Sequence, residues 1–373
     1  MRILVTGATG YIGRAVAGAL LTKDHEVMGL ARSNDAARAM REHGITPVMG
    51  DFADLARLAV VVAATEVDAV VSTASVGASA GDTAATFARD RDAVRAIQAS
   101  MNGGDRTLVF TSGSAVFGVF NRGEATDVVY DEESPLPLRA STFAPPDAGV
   151  DPMLASGFAE AMSARAETEQ MVCRHTNVKG IVIRPGLVYG DGGSYDIPAL
   201  ISRARTRGRA VHLGGGGTIQ GYVHLDDLAE LYCLAIEKAP RGSRLHGIAG
   251  EITQRELAIA VNQMLGVDGR PDSVTMTEML GLSVVEGIGL GIMKRLPPQL
   301  RHRLGNALEP PAGVGSGISL SLNKRLSATR TRQLLGWRPA RTDILEDIAT
   351  GSYARSDPPK HPSTISVMFS SLG

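Results

Sequence analysis

The chain has 373 residues, with 38 Lys and Arg against 39 Asp and Glu, a net charge of −1. Its basic residues are scattered, which excludes the electrostatic footprint of a nucleic-acid partner or an anionic membrane surface. The length exceeds one ordinary core, so a large domain with a smaller companion is expected.

The chain opens on an apolar strand, Ile3–Thr6, that runs into Gly7-Ala8-Thr9-Gly10-Tyr11-Ile12-Gly13, and a helical pattern follows over Arg14–Leu21. Gly7 permits the tight turn, Gly10 lets backbone amides approach a pyrophosphate, and Gly13 lets the helix pack close to the sheet. The helix N-terminus offers unpaired N–H groups and a positive dipole end to that anion. In this strand–turn–helix context the glycines predict a dinucleotide site.

Further strands are predicted over Glu26–Ala31, Thr46–Gly50, Ala69–Thr73, Thr107–Thr111 and Gly180–Arg184. Their β-branched runs are continuous rather than alternating, as in a parallel sheet buried on both faces. Helical patterns over Thr83–Met101 and Phe158–Cys173 would cover it, and the Pro-rich stretch Asp131–Pro152 reads as a long loop on the substrate side. Beyond Gly190 the pattern gives a helix over Ile197–Gly208, a turn at Gly214–Gly217, a strand at Gly221–Leu225 and a helix over Asp226–Lys238. Asp226 or Asp227 suits its cap. Glu251–Leu265 has a helical period, with Thr253 and Glu256 at capping-box spacing.

Residues 276–317 are irregular and rich in Gly and Pro. They read either as a helical hairpin plugging the smaller lobe or as a mobile lid over an apolar ligand. The longest apolar stretch, Met279–Met293, carries Glu286 and four glycines and is too short to span a bilayer. From Ser356 a loose tail is expected. Cys173 and Cys233 lie in apolar helical patterns without metal-ligand spacing, so free thiols are expected and no metal. With residue 1 almost at the start of a strand there is no room for a signal peptide, and a cytoplasmic location is expected.

Five ordered motifs resemble the extended short-chain dehydrogenase/reductases, in their nucleotide-sugar epimerase/dehydratase branch. After Thr6–Gly13 come Gly50-Asp51-Phe52, Thr111-Ser-Gly-Ser-Ala-Val-Phe-Gly118, Arg184-Pro-Gly-Leu-Val-Tyr-Gly190 and Val223-His-Leu-Asp-Asp-Leu-Ala229, with the late Leu335-Gly-Trp-Arg-Pro339 beside them. The resemblance covers about residues 1–265 and 318–355. It implies an α/β fold: a doubly wound, seven-stranded Rossmann sheet with a smaller, mainly helical C-terminal substrate lobe. The cofactor domain would span 1–190 plus about 222–250, and the lobe 191–221 and 251–355, with 276–317 the candidate lid and 356–373 the tail.

The same resemblance implies the cofactor contacts. Gly7, Thr9, Gly10, Tyr11, Ile12 and Gly13 would cradle the pyrophosphate, and Asp51 and Phe52 would meet the adenine. Thr73, Ala74 and Ser75, with Thr111 and Ser112, would line the middle, while Pro185, Gly186, Leu187 and Val188 would pack on the nicotinamide amide. Strand two ends in Arg32 and Ser33, which suit a 2′-phosphate where an NAD site wants an acid, so NADP(H) is preferred and NAD(H) is the alternative.

The family's Tyr and Lys, with three residues between them, move a proton as hydride moves. Aligned on Glu169, the Tyr slot holds Ala161 and the Lys slot Arg165, while the Ser slot falls on Gly113, between Ser112 and Ser114. No catalytic residue is therefore assignable. The Arg that grips sugar-nucleotide phosphates in this branch is replaced by Gln220-Gly221, which argues against a nucleotide sugar. The apolar segment around Met279 and Met293, with Ser114 and Tyr189, would suit a bulky hydrophobic ligand instead. Triad-deficient members of this kind include ketoreductases that tailor aromatic polyketides, angucyclinones of the simocyclinone type among them. The expected activity is NADPH-dependent reduction of a bulky, apolar, aromatic ketone, with the proton from water or the substrate. The alternatives are a non-catalytic NADP(H) sensor or scaffold, and an epimerase or dehydratase. Oligomeric state stays open.

Overall fold

The computed structural model describes residues 1–75, 83–101, 105–145, 148–279 and 314–355. Strands β1 (Arg2–Thr6), β2 (Glu26–Ala31), β3 (Thr46–Met49), β4 (Ala69–Ser72) and β5 (Thr107–Thr111) alternate with helices α1 (Tyr11–Thr22), α2 (Asn34–Glu42), α3 (Leu55–Ala64) and α4 (Thr83–Ser100). After a short strand β6 (Val119–Phe120) and a helical turn α5 (Ala140–Phe143), the long helix α6 (Pro152–Arg174) leads into β7 (Lys179–Pro185).

Seven strands form one parallel sheet in which β3, β2, β1, β4, β5 and β7 lie side by side, with Arg244–Gly247 at the far edge. Both faces are buried over the central strands, as continuous apolar strands require, while the edge strand β3 stays partly exposed. Leu4, Val70, Leu108 and Val182 face α3, α4 and α6 through Leu58, Val62, Val94, Ile97 and Val172. Ile3, Val5, Val71, Val109 and Ile183 face the opposite layer through Val16 and Leu20 of α1 and Leu228, Leu231 and Ala235 of a later helix.

The C-terminal part is built on smaller pieces. Strand β8 (Leu187–Tyr189) follows β7 directly, and α7 (Ile197–Arg207) and β9 (Val211–Leu213) come next. Then β10 (Ile219–His224) and α8 (Leu225–Lys238) precede the edge strand, β11 (Arg244–Gly247). Strands β8, β10 and Gly250–Thr253 make a three-stranded sheet. Behind it lies a core of Leu187, Tyr189, Ile197, Leu200, Leu257 and Val261.

Several local expectations are corrected. Helix α6 begins at Pro152 rather than Phe158. The stretch predicted as a long loop contains α5 and is pinned where the Glu132 carboxylate accepts from the Thr331 amide at 2.8 Å. His224, not Asp226 or Asp227, caps α8, its Nδ1 accepting from the Asp226 amide at 3.1 Å. Asp227 instead accepts from the Ala340 and Arg341 amides, both at 2.9 Å, and its own carbonyl takes the Trp337 indole N–H. Two of the ordered sequence motifs thus clasp each other.

The capping box of Thr253 and Glu256 forms as read. Cys173 and Cys233 are free thiols. Of residues 276–317, Met276–Met279 and Val314–Ser321 are helical, and the rest, like the tail from Ser356, lies outside the described residues. Among the described residues no helix is long and apolar enough to cross a membrane.

Candidate functional site

The carboxyl ends of β1 to β5 and β7 converge on one edge of the sheet, the edge at which doubly wound folds take their ligands. At its centre is the glycine turn. Gly7 has φ +75°, and a Cβ there would stand 2.9 Å from the Thr73 hydroxyl. A Cβ on Gly13 would stand 2.1 Å from the Gly7 carbonyl oxygen, a distance no side chain tolerates. Gly10 starts α1 without a side-chain cap, so the first-turn amides stay available to an external anion. Thr9 is exposed beside them, while Tyr11 and Ile12 are half-buried. The Tyr11 hydroxyl donates to the Gly190 carbonyl at 2.8 Å, tying the turn to the loop after β8. That bond commits the phenol to structure.

At the end of β2, Arg32 is exposed and has no ion-pair partner among the described residues. The Ser33 hydroxyl accepts from the Ala36 amide at 3.2 Å as the cap of α2, and its own hydrogen remains free to donate. At the end of β3, Asp51 is exposed, with one carboxylate oxygen accepting from the Ala53 amide. The Phe52 ring is buried against Leu4, Leu30 and Leu58, so only its backbone faces the edge. Thr73, Ala74 and Ser75 are half-buried. The Thr73 hydroxyl donates to the Thr6 carbonyl at 2.6 Å, and that of Ser75 to Asp90 at 2.6 Å.

The end of β5 is the most heavily braced part. Thr111 shares a 2.6 Å hydrogen bond with the Tyr232 phenol of α8. The Ser112 hydroxyl donates to Glu169 at 2.5 Å. Glu169 is fully buried and holds Arg184 through contacts of 2.6, 3.1 and 3.2 Å. The Arg165 guanidinium donates to the Thr111 and Ser112 carbonyls, both at 3.0 Å, and lies 4.6 Å from the centre of the Phe87 ring. Burial lowers its pKa, with Asp90 and Glu169 opposing, yet a guanidinium stays charged at any working pH. Arg165 positions the end of β5 and cannot serve as a proton donor.

Ala161, one turn before Arg165, is buried. A Cβ on Gly113 would meet nothing within 4 Å, so this position opens into free space. The tyrosines lie elsewhere: the phenols of Tyr11, Tyr189, Tyr222, Tyr232 and Tyr353 are all bonded to other groups. Tyr130 stacks on Phe117, and burial holds the Tyr195 phenol far above the ordinary range.

Pro185 and Leu187 are buried, and Gly186 and Val188 half-buried, where β7 passes into β8. A Cβ on Gly186 would fall 2.2 Å from the Gly221 carbonyl, so the smaller sheet abuts this edge through glycine. The expected ligand contacts fare less well. Tyr189 is buried, packed edge-on against Tyr222 and His224, with its hydroxyl on the Arg341 carbonyl at 2.9 Å. Met279 is buried with Val211, Leu213 and Val274, its sulfur and carbonyl taken by Arg203. Both are core residues because their apolar area is worth more packed than exposed. Ser114 is buried in the turn after β5, and Met293 lies outside the described residues.

The NAD dependent epimerase/dehydratase family matches residues 3–246. The chain is 28% identical over 315 residues to a 2-alkyl-3-oxoalkanoate reductase of Stenotrophomonas maltophilia, covering 81% of this chain and 85% of the relative. It is 27% identical over 258 residues to a 4-hydroxy-2-methyl-3-oxo-4-farnesyl-3,4-dihydroquinoline-1-oxide ketoreductase of Stigmatella aurantiaca, covering 65% and 66%. A dTDP-glucose 4,6-dehydratase of Streptomyces venezuelae, solved with NAD, superposes with a TM-score of 0.64 at 19% identity, over 95% of this chain and 96% of the other. That likeness shows the fold. The chain belongs to the NAD dependent epimerase/dehydratase family, as an enzyme of the NAD(P)-dependent short-chain dehydrogenase/reductase type.

Proposed function

We propose that the protein is a cytoplasmic ketoreductase that uses NADPH to reduce a bulky, apolar ketone, with aromatic polyketide-type compounds the preferred class. The observation that carries this reading is the pairing of a glycine cradle shaped for a pyrophosphate with an empty proton-donor slot. Gly7, Thr9, Gly10, Ile12 and Gly13 would hold the pyrophosphate. Asp51 and the Phe52 backbone would meet the adenine, with Thr73, Ala74, Ser75, Thr111 and Ser112 along the middle and Pro185–Val188 on the nicotinamide. Arg32 and the free Ser33 hydrogen favour the 2′-phosphate of NADP(H). When bound, NADPH supplies a hydride.

The protein's part is placement, which contributes several kcal/mol by orientation alone. Arg165 and Glu169 fix the end of β5 from beneath, so the ketone meets a rigid platform. The proton comes from water or from an acidic group of the substrate, because Ala161 has none to give and Arg165 holds its own. Two relatives are named as reductases of 3-oxo compounds bearing alkyl or farnesyl groups, which favours this over epimerisation. An epimerase would need a base for a substrate hydroxyl, and Ala161 cannot be one.

Oxidation of NADPH against quinones, polycyclic ketones and 3-oxo acids tests the reading. Ser112→Ala and Ser114→Ala are each expected to retain turnover. Loss of turnover in either of them, with cofactor binding intact, contradicts a proton route independent of the protein. Tight cofactor binding without turnover of any ketone favours a sensor.

A further inference from the structure

Sequence reading missed a buried polar cluster in the C-terminal part. Lys324 is 3% exposed, and its ammonium donates to the Ser319 hydroxyl at 2.8 Å. Ser319 in turn donates to Asp196 Oδ2 at 2.9 Å. The two charges are thus held apart by one hydroxyl instead of closing into an ion pair. Among the described residues the ammonium has a single hydrogen-bond partner, and Asp196 Oδ1 has none. Gln220, alongside Lys324 in an isolated bridge, uses its amide nitrogen on the Leu320 and Leu322 carbonyls and leaves Oε1 unpartnered. Thr218 Oγ1, two residues away, is also without a partner. Buried polar groups are ordinarily satisfied, and a buried charge with spare valence is costly. Lys324, Asp196 and Gln220 thus keep hydrogen-bonding capacity that a polar ligand would satisfy, and Thr218, just before β10, adds a fourth such group.

The backbone ties the cluster to the candidate active site on both sides. Lys324 accepts through its carbonyl from the Gly221 amide at 3.0 Å, and Gly221 abuts Gly186 at the end of β7. Asp196 lies three residues beyond Gly193, whose backbone packs on the Tyr11 ring of the glycine turn. We propose that Lys324 receives an anionic oxygen of the substrate, a carboxylate or an acidic enol beside the ketone, while Asp196 and Gln220 accept from its hydrogen-bond donors. This deepens the ketoreductase reading and rests on it for placing the substrate here. Burial pushes the Asp196 carboxyl up to about 6, with Lys324 and Ser319 opposing, so Asp196 can take up a proton when an anion arrives.

The test is calorimetric binding of 3-hydroxydecanoate and of 2-nonanol, its counterpart without the carboxylate, to the full chain loaded with NADP+. The unmodified protein is expected to prefer the carboxylate about 10- to 100-fold, the worth of one hydrogen bond to a charged group, and Lys324→Met to lose that preference. Equal affinities in the unmodified protein, absence of carboxylate binding, or a preference that survives in Lys324→Met overturns the proposal. The first comparison needs no variant, so a misfolded Lys324→Met does not shield it. Reduction of ketones is measured separately. Turnover without carboxylate preference sinks this site alone, whereas carboxylate preference without turnover of any ketone sinks the reductase reading alone.

Discussion

Glu169→Gln tests the brace beneath β5 most severely. Both partners of its ion pair are buried, Arg184 at 1% and Glu169 at 0% side-chain exposure, so neither charge can find water when the other is removed. The glutamine is isosteric, but its amide hydrogens would face the Arg184 guanidinium, and Ser112 would lose a charged acceptor. Breaking one side of a buried pair costs about 3–5 kcal/mol, because the orphaned charge keeps its desolvation penalty. At about 2.1 cal/mol/K of unfolding entropy per residue, that is a drop in Tm of about 4–6 °C for this length. Thermal and urea denaturation of the two proteins measure it. The double variant Glu169→Met with Arg184→Met removes both charges and is expected to lose less than Glu169→Gln alone. A Glu169→Gln protein within about 1 kcal/mol of the parent would refute the reasoning.

Further outcomes are expected elsewhere in the molecule. Gly13→Ala forces a Cβ against the Gly7 carbonyl and is expected to abolish NADPH binding, read by fluorescence titration, with a lowered Tm. Arg32→Ala is expected to weaken NADPH about tenfold while leaving NADH almost unchanged, a difference set by loss of one charge-assisted contact. Burial and the neighbouring Arg184 push the His246 imidazole down to about 3, so the unfolded chain takes up this proton first. Its stabilisation is complete above pH 6.5 and fades as pH falls from there toward 3, by up to about 5 kcal/mol. Urea denaturation across pH 4–7 follows this. Asp196, raised to about 6, acts in the opposite sense, its stabilising effect growing as pH falls from 6 to 4, so Asp196→Asn is expected to steepen the acid loss.

What the sequence disclosed depended on how local the cause was. The glycine turn was legible because its steric demands lie within thirteen residues, and β1, β4 and β5 because an unbroken apolar run leaves few alternatives. Strand β11 went unread: Arg-Leu-His-Gly carries one clear apolar residue, and its place at the sheet edge is set by pairing with β7 some sixty residues earlier. Tyr189 and Met279 were mistaken for ligand contacts since an aromatic ring or thioether suits a core as well as a pocket. Lys324, between Asn323 and Arg325, reads as a solvated stretch. Only its long-range pairing with Ile219 and Gly221 buries it.

Deuteride transfer separates a ketoreductase from a protein that only binds the cofactor. The protein is mixed with NADPH deuterated at the reactive carbon and a bulky 3-oxo substrate, and the product alcohol is examined by mass spectrometry and NMR. One deuterium on the carbinol carbon is expected, in the parent and in Ser112→Ala alike. Bound cofactor that never surrenders its deuterium to any ketone would contradict it.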